Sequence, residues 1–489
     1  MNSSIEQARR EVQDAAEKIV HRAACTDVAR FDRFEVELWG LTMALGRAAV
    51  RLFFAVQASR PIPEYIQGDR RYRLRGHRVS GFGTRFGKVG FRRPIGRPVD
   101  DPRGAADLPI DRGLGLGSGF SLTVVTDMAR LSGTVAFSST RSIYREFFHW
   151  APSPRALARM IDAVGAKARE FMESAPPPAD DGEILVLQVD ARGAPMISPS
   201  EYAKRRRPKR KAQAGSKRNQ RRMRRKLARR PRRKKGDKSK NAKSAFVGVI
   251  YTLKEGQDGF EGPINKRLIA TFESHRALFV WLDREARKRG YGTKRTLFLA
   301  DGSEHIWRLQ EEYFPAAEVC LDWYHAAEYL WKAAGCLFSE GSDGLRDWVN
   351  MQTRRLHKGT NKALMTELKR QHRRLSATDH ASDDKLKRLK ECVTYFDNNL
   401  HRMRYKELLR EGLDIGTGAV EGAVRNIIAI RLDGPGMKWG RGRSECVLYL
   451  RCVLLNDQWA DLVRWLNKGP ILRLAAQPKP AEPYFAKAA

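Results

Sequence analysis

Acid is outnumbered in this chain and paired cysteine is missing, and each shortfall narrows its chemistry. The 489 residues hold 56 Asp and Glu against 92 Lys and Arg, leaving a formal charge of +36. That imbalance argues against a cationic partner and points to a polyanion, because clustered Lys and Arg release counterions from phosphates. The six cysteines, at 25, 320, 336, 392, 446 and 452, form no C-x-x-C pair. Neither a disulfide framework nor a zinc ribbon is indicated, and a reducing cytoplasm fits. No apolar run reads as approaching the roughly 18 residues of a spanning helix. The opening MNSSIEQARREVQDAAEKIV is charged throughout, unlike a secretory signal. No membrane partner is expected, and no internal repeat is visible.

What is present suffices for about three domains, with 42% hydrophobic residues for their cores. Residues 1–63 read as an N-terminal helical region of two helices, the second stopped by Pro61 and Pro63. The stretch 64–118 is basic and Gly-rich, with partial alternation that predicts short antiparallel strands, and turns into a Pro/Gly-rich linker from 99. Residues 119–180 predict three short helices, with Ser138 or Ser139 capping the middle one. They suit a helix-turn-helix that reads a major groove, or equally an ordinary helical linker domain.

From 183 the pattern becomes α/β. ILVLQVD, AFVGVIYTL and KRLIATF are strands, SHRALFVWLDREARKRG is an amphipathic helix, and TLFLAD is a fourth strand. HIWRLQEEYF is helical, AEVCLDWYH carries a fifth strand, and HAAEYLWKAAGCLF is helical. This is the element order of an RNase H-like domain, a mixed sheet flanked by helices. Its first part spans 183–340, an all-helical insertion 341–410, its second part 411–470, and a tail 471–489.

Between the first two strands lies the one low-complexity segment, residues 203–243, with 23 Lys or Arg and a single acid, Asp237. It buries too little apolar surface to order itself, so a disordered arm, or a helix formed on binding, is expected. Its nucleic-acid contacts fall on Arg205, Arg206, Arg207, Lys209, Arg210, Arg221, Arg222, Arg224, Arg225, Arg232 and Arg233.

Three acids carry the chemistry. Asp190 and Asp301 each end an apolar strand, which points a carboxylate out of the sheet's end, and Glu421 sits in the helical stretch AVEGAVRNIIAIRL. Together they can converge on two Mg²⁺ ions, with Mn²⁺ as substitute, since hard cations take oxygen ligands. Each acid alone also reads as a turn or surface residue.

LQVDARG, FLADGSEHIWRLQEEYFPAAEVCLDWYHAAEYLW and TGAVEGAVRNIIAIRLDGPGMKWGRGRSECVLYLRCVLL resemble bacterial insertion-sequence DDE transposases of the Mutator-like group, across about 183–465. The resemblance implies Asp190, Asp301 and Glu421 as catalytic metal ligands. It also implies binding of the element's ends and of target double-stranded DNA in the nucleoid-associated cytoplasm, followed by cleavage and strand transfer. Two ends must be handled together, so a homodimer or higher assembly is expected. The group's Cys-x-x-His element reads DWYH here, with Asp322 in the cysteine place and His325 retained. His325 is expected to orient the scissile phosphate or to protonate a leaving oxygen, against a helix-start packing role; Asp322 is a rival ligand to Asp301. Zinc at Cys320 and His325 is disfavoured, with no second ligand pair nearby. Arg425, one turn from Glu421, is a candidate phosphate contact or a partner for that acid, Arg431 is a candidate DNA contact, and Trp439 is a candidate stacking partner for an unpaired base or a core residue. A nuclease without strand transfer and a non-catalytic nucleic-acid-binding protein derived from a transposase remain as alternatives.

Overall fold

The computed structural model describes residues 2–474 except 26–29, 61, 63, 118, 198–241, 258, 378–381 and 435–436. The chain is α/β and multidomain, dividing into Met1–Phe171 with Asp457–Ala489, and Met172–Asn456.

In the first unit α1 (Asn2–Ala24) packs on α2 (Phe31–Ser59). The expectation of no span-length apolar run is corrected here. By length and composition α2 is long and apolar enough to cross a bilayer, with an 18-residue window of mean hydropathy 1.3. Its Phe54 stacks on Phe91 at 4.0 Å and meets Phe82 edge-on at 5.7 Å, forming a small core with Val89. Those partners come from an antiparallel sheet, β1 (Tyr65–Gln67), β2 (Arg70–Thr84) and β3 (Gly87–Pro98), in that order. β2 and β3 run 15 and 12 residues, longer than the short strands expected.

The expected linker 99–118 instead returns to this sheet. Asp107 bridges Gly96 and accepts the Tyr65 hydroxyl at 2.7 Å, while α3 (Pro109–Gly113) sets Asp111 against Arg93. Three helices follow, α4 (Leu122–Thr134), α5 (Phe137–Phe148) and α6 (Pro154–Ser174). Ser121 caps α4 by accepting the Val124 N–H. Neither Ser138 nor Ser139 caps α5, because the helix already begins at Phe137 after an extended Ala136.

The second unit is built on a five-stranded sheet, β4 (Ile184–Pro195), β5 (Ala242–Gly256), β6 (Gly259–Thr271), β7 (Arg295–Ala300) and β8 (Glu318–Leu321). Spatial order is β6-β5-β4-β7-β8, with β5 antiparallel to both neighbours and β7 and β8 parallel to β4. β4 is central, and its run Ile184–Val189 is buried throughout, as a strand covered on both faces must be. Parallel pairing needs crossovers, supplied by α7 (His275–Lys288) before β7 and α8 (Glu304–Tyr313) before β8. The Ser274 hydroxyl caps α7 through the Ala277 N–H at 3.1 Å.

After α9 (Trp323–Leu337) come α10 (Asp343–His357), α11 (Asn361–Ser376), α12 (Asp383–Asn399) and α13 (Tyr405–Arg410). The chain then re-enters the sheet region with α14 (Gly418–Val424), which continues through a widened π turn, Arg425–Ala429, to Leu432. α15 (Arg441–Leu455) follows and lies on β6, where Glu445 accepts the Thr271 hydroxyl at 2.7 Å. Because β5 begins at Ala242, the last two residues of the expected arm 203–243 are strand. Arg205, Arg206, Arg207, Lys209, Arg210, Arg221, Arg222, Arg224, Arg225, Arg232 and Arg233 lie outside the described residues.

Candidate active site

Sheet register brings the acids together. Val189 pairs with Ala300, and Ala300 with Leu321, so the next residues, Asp190, Asp301 and Asp322, form one row across three adjacent strands. Neighbouring strands lie about 4.8 Å apart, which sets the spacing of that row. Asp190 does not end its strand: β4 runs on to Pro195, paired only with β5. What ends at Val189 is the pairing with β7, so the carboxylate stands where its parallel neighbour falls away. Asp190 Oδ1 accepts the Ala191 N–H at 2.6 Å, and Asp301 Oδ1 accepts the Ser303 N–H at 2.9 Å. Each keeps a second oxygen without a hydrogen bond among the described residues. Burial, and then repulsion from Asp301, push the Asp190 carboxyl above the ordinary carboxylate range.

Asp322 is a different kind of acid. It is fully buried and caps α9: Oδ2 accepts the His325 N–H at 2.9 Å and faces His325 Nδ1 at 2.6 Å, while Oδ1 accepts the Thr417 N–H at 2.7 Å. Three of a carboxylate's roughly four acceptor positions are thereby taken. Burial favours the neutral acid, but the bonds from His325 and Thr417 outweigh it and hold Asp322 below its ordinary value. In return the Asp322 bond raises the His325 imidazole to about 9. A proton held on Nδ1 by Asp322 leaves Nε2 as the ring's outward nitrogen.

Glu421 arrives by a clamp that the sequence reading missed. Gln188, the one polar residue inside ILVLQVD, is 1% exposed and shares the Asp190 face of β4. Its Oε1 accepts the Val420 N–H at 3.0 Å and its Nε2 donates to the Gly416 carbonyl at 3.3 Å. With the Thr417 bond to Asp322, this ties the start of α14 to the sheet and sets ligand atoms of Glu421, Asp322 and His325 within 4.8 Å of one another. Glu421 itself is exposed; desolvation, then Asp322, push its carboxyl up. Gln188→Leu is expected to cost about 1–3 kcal/mol by stranding the Val420 N–H. Its catalytic loss should exceed that of Asn at the same site, as a melt and a cleavage assay will read.

The donor set fits a hard divalent cation. Asp190, Asp301 and Glu421 offer oxygens with no hydrogen bond among the described residues, whereas most of Asp322's capacity is spent on the α9 cap and on Thr417. The tightest geometric group therefore contains Asp322, but the free oxygens belong to the other three acids. Cys320 is no rival: it is buried, its Sγ lies 3.5 Å from the Leu321 carbonyl, and burial pushes its thiol far up.

Tyr395 of α12 closes one side of the row. Its ring stacks on Tyr329 at 3.6 Å, and a Cβ on Gly302 would sit 2.2 Å from Tyr395 Cε2. The Asp-Gly pair after β7 thus owes its glycine to a close approach rather than to backbone conformation. Gly302→Ala is expected to lose about 1–3 kcal/mol, because the stacked ring has nowhere to shift; a urea midpoint measures it.

Two proposed DNA contacts are corrected. Arg431 is 2% exposed with its guanidinium 4.8 Å from the Trp439 ring centre, and burial lowers it to about 10. Trp439 is 6% exposed, donates Nε1–H to the Leu432 carbonyl at 2.9 Å, and extends the β4 end through Pro195 and Ile197. Both are core, since Trp439 bridges Met196 at the end of β4 and its ring lies against Arg431. Arg425 is exposed and without an ion pair among the described residues. Conversely Tyr324 and Trp331 of α9 are 55% and 49% exposed.

No family model matches the chain, and no curated protein matches it. Among solved structures it is similar to the Drosophila P element transposase strand transfer complex, at 13% identity, covering 72% of this chain and 82% of that chain, with a TM-score of 0.24.

Proposed function

We propose that the chain is a DDE transposase that binds the ends of its own insertion sequence and carries out metal-dependent DNA cleavage and strand transfer. The observation that carries this reading is the single row of Asp190 and Asp301 with Glu421 clamped to the same end of the sheet. The sheet order, its antiparallel second strand and the helices α10–α13 ahead of α14 support an RNase H-like domain of the Mutator-like group, interrupted by an insertion. Two Mg²⁺ ions on Asp190, Asp301 and Glu421, with Mn²⁺ as substitute, would activate the attacking oxygen and stabilise the departing one.

The chain's own groups do the rest. His325, held by Asp322, keeps a proton at neutral pH and offers Nε2 to a phosphate or leaving oxygen. The carboxylates of Asp190 and Glu421, already crowded, prefer a cationic neighbour to each other. Arg425, the basic arm and α4–α6 are assigned to holding DNA, with two chains acting on two ends.

The test supplies the full chain, with Mg²⁺ or Mn²⁺, with the DNA that flanks its coding region, once intact and once pre-cut to a free 3′-hydroxyl. Joining of the pre-cut end to a target plasmid is expected. Cleavage without joining selects a nuclease, and no cleavage with either metal selects a binding-only protein.

A further inference from the structure

The outward face of the β2–β3 ribbon is not an ordinary solvent face. Register sets Gly81 opposite Gly90 and Val79 opposite Arg92, while Phe82, Val89 and Phe91 point to the buried side. Both glycines are exposed, neither has a positive φ, and a Cβ on either would meet nothing within 4 Å. The chain's own packing therefore does not require glycine there. In a strand interior glycine weakens the sheet and marks a place where another body approaches the backbone closely. Val79, beside them, is 71% exposed.

The charge around this bare strip names the visitor. Tyr65–Pro98 holds ten Lys or Arg and one acid, Asp69. Some of the sheet's cations are matched, Arg73 with Glu64, Arg85 with Asp127 and Arg93 with Asp111, whereas the exposed Arg78 has no ion pair among the described residues. Arg75, Lys88 and Arg92 are exposed and have no ion-pair partner among the described residues. Lys88 and Arg92 flank Gly90 on the same face of β3, so an antiparallel strand pair presents cations on either side of the bare strip, where they suit the phosphates along a duplex.

We propose that this face of β2–β3 is a docking surface for the phosphate backbone of double-stranded DNA, in addition to the basic arm. The proposal rests on the DNA-binding part of the function given above. Contact there is sequence-independent, since neither glycine nor valine reads a base edge.

The full chain is titrated with a duplex of random sequence from about 50 to 300 mM salt, and with anionic phosphatidylserine vesicles. Gly90→Glu is expected to weaken duplex binding at least tenfold, and Gly90→Ala to leave it within about twofold. Arg75, Lys88 and Arg92 changed together to Ala should reduce the slope of log K against log salt by about 2–3. Circular dichroism melts check that each variant is folded, and the triple variant carries the test if Gly90→Glu is not.

Wild-type affinity and slope in both folded variants overturn the proposal. If a chain lacking 204–240 loses binding while the ribbon variants do not, the ribbon falls and the DNA-binding reading stands. If the wild-type chain binds no duplex at any salt, both fall. A Gly90→Glu chain that loses vesicles but keeps duplex makes the face lipid-binding, and that too overturns the proposal.

Discussion

Asp190→Asn is expected to abolish metal-dependent strand cleavage, by about 10³-fold or more, while duplex affinity stays within about threefold. Loss of one carboxylate from a two-metal site removes several kcal/mol of transition-state stabilisation, and about 4 kcal/mol corresponds to three decades of rate. In the proposed function affinity is assigned to cations elsewhere, which the substitution leaves untouched. A second readout separates metal binding from folding. The wild-type melting temperature should rise on adding Mg²⁺, as for any ligand that binds only the folded state, and in Asp190→Asn that rise should shrink or vanish.

The sign without metal is opposite to that of a structural acid. The raised Asp190 carboxyl binds its proton more tightly folded than unfolded, so its charge costs stability as pH climbs above the ordinary value of 3.8. In EDTA at neutral pH, Asp190→Asn should therefore be no less stable than wild type. A large loss of stability in EDTA, or an undiminished Mg²⁺ response, would remove Asp190 from the metal site.

Much of this site was legible because a buried apolar run in a parallel sheet gives way to a polar residue where the parallel pairing stops. The apolar runs before Asp190 and Asp301 gave their place in the sheet, and the row follows from parallel register alone. What the pattern did not give was the division of labour among four acids. Asp322 reads like its neighbours in a strand-end sequence, yet it is spent on capping α9 and holding Thr417, contacts separated by 95 residues of chain. Gln188 gave a signal, a lone amide in an apolar strand, but its partners lie 232 and 228 positions away. Arg431 and Trp439 misled for the same reason: helical spacing places a residue on a face without saying what will cover that face. α2 shows the converse, a stretch read as an ordinary helix stopped by proline that is nonetheless long and apolar enough to span.

The Asp322–His325 pair has its own pH signature, measured in EDTA so that no metal competes. His325 rises from 6.5 to about 9, chiefly through the Asp322 hydrogen bond, so its contribution is complete below about pH 6.5 and disappears as pH rises through 9. Asp322 is depressed, so its contribution is complete above 3.8 and is lost as pH falls through its lower folded value. Stability from the pair therefore plateaus between roughly pH 4 and 6.5. His325→Gln should flatten the decline between pH 6.5 and 9, on the order of 1–2 kcal/mol after allowing for the ring's partial exposure. Asp322→Ala should cost more, about 3–5 kcal/mol, since it strands the His325 and Thr417 N–H groups and leaves the imidazolium without its anion. Urea midpoints across pH measure both. A ligand-only Asp322 would instead lose metal binding at little cost to the metal-free fold, so the size of the loss in EDTA decides between clamp and ligand.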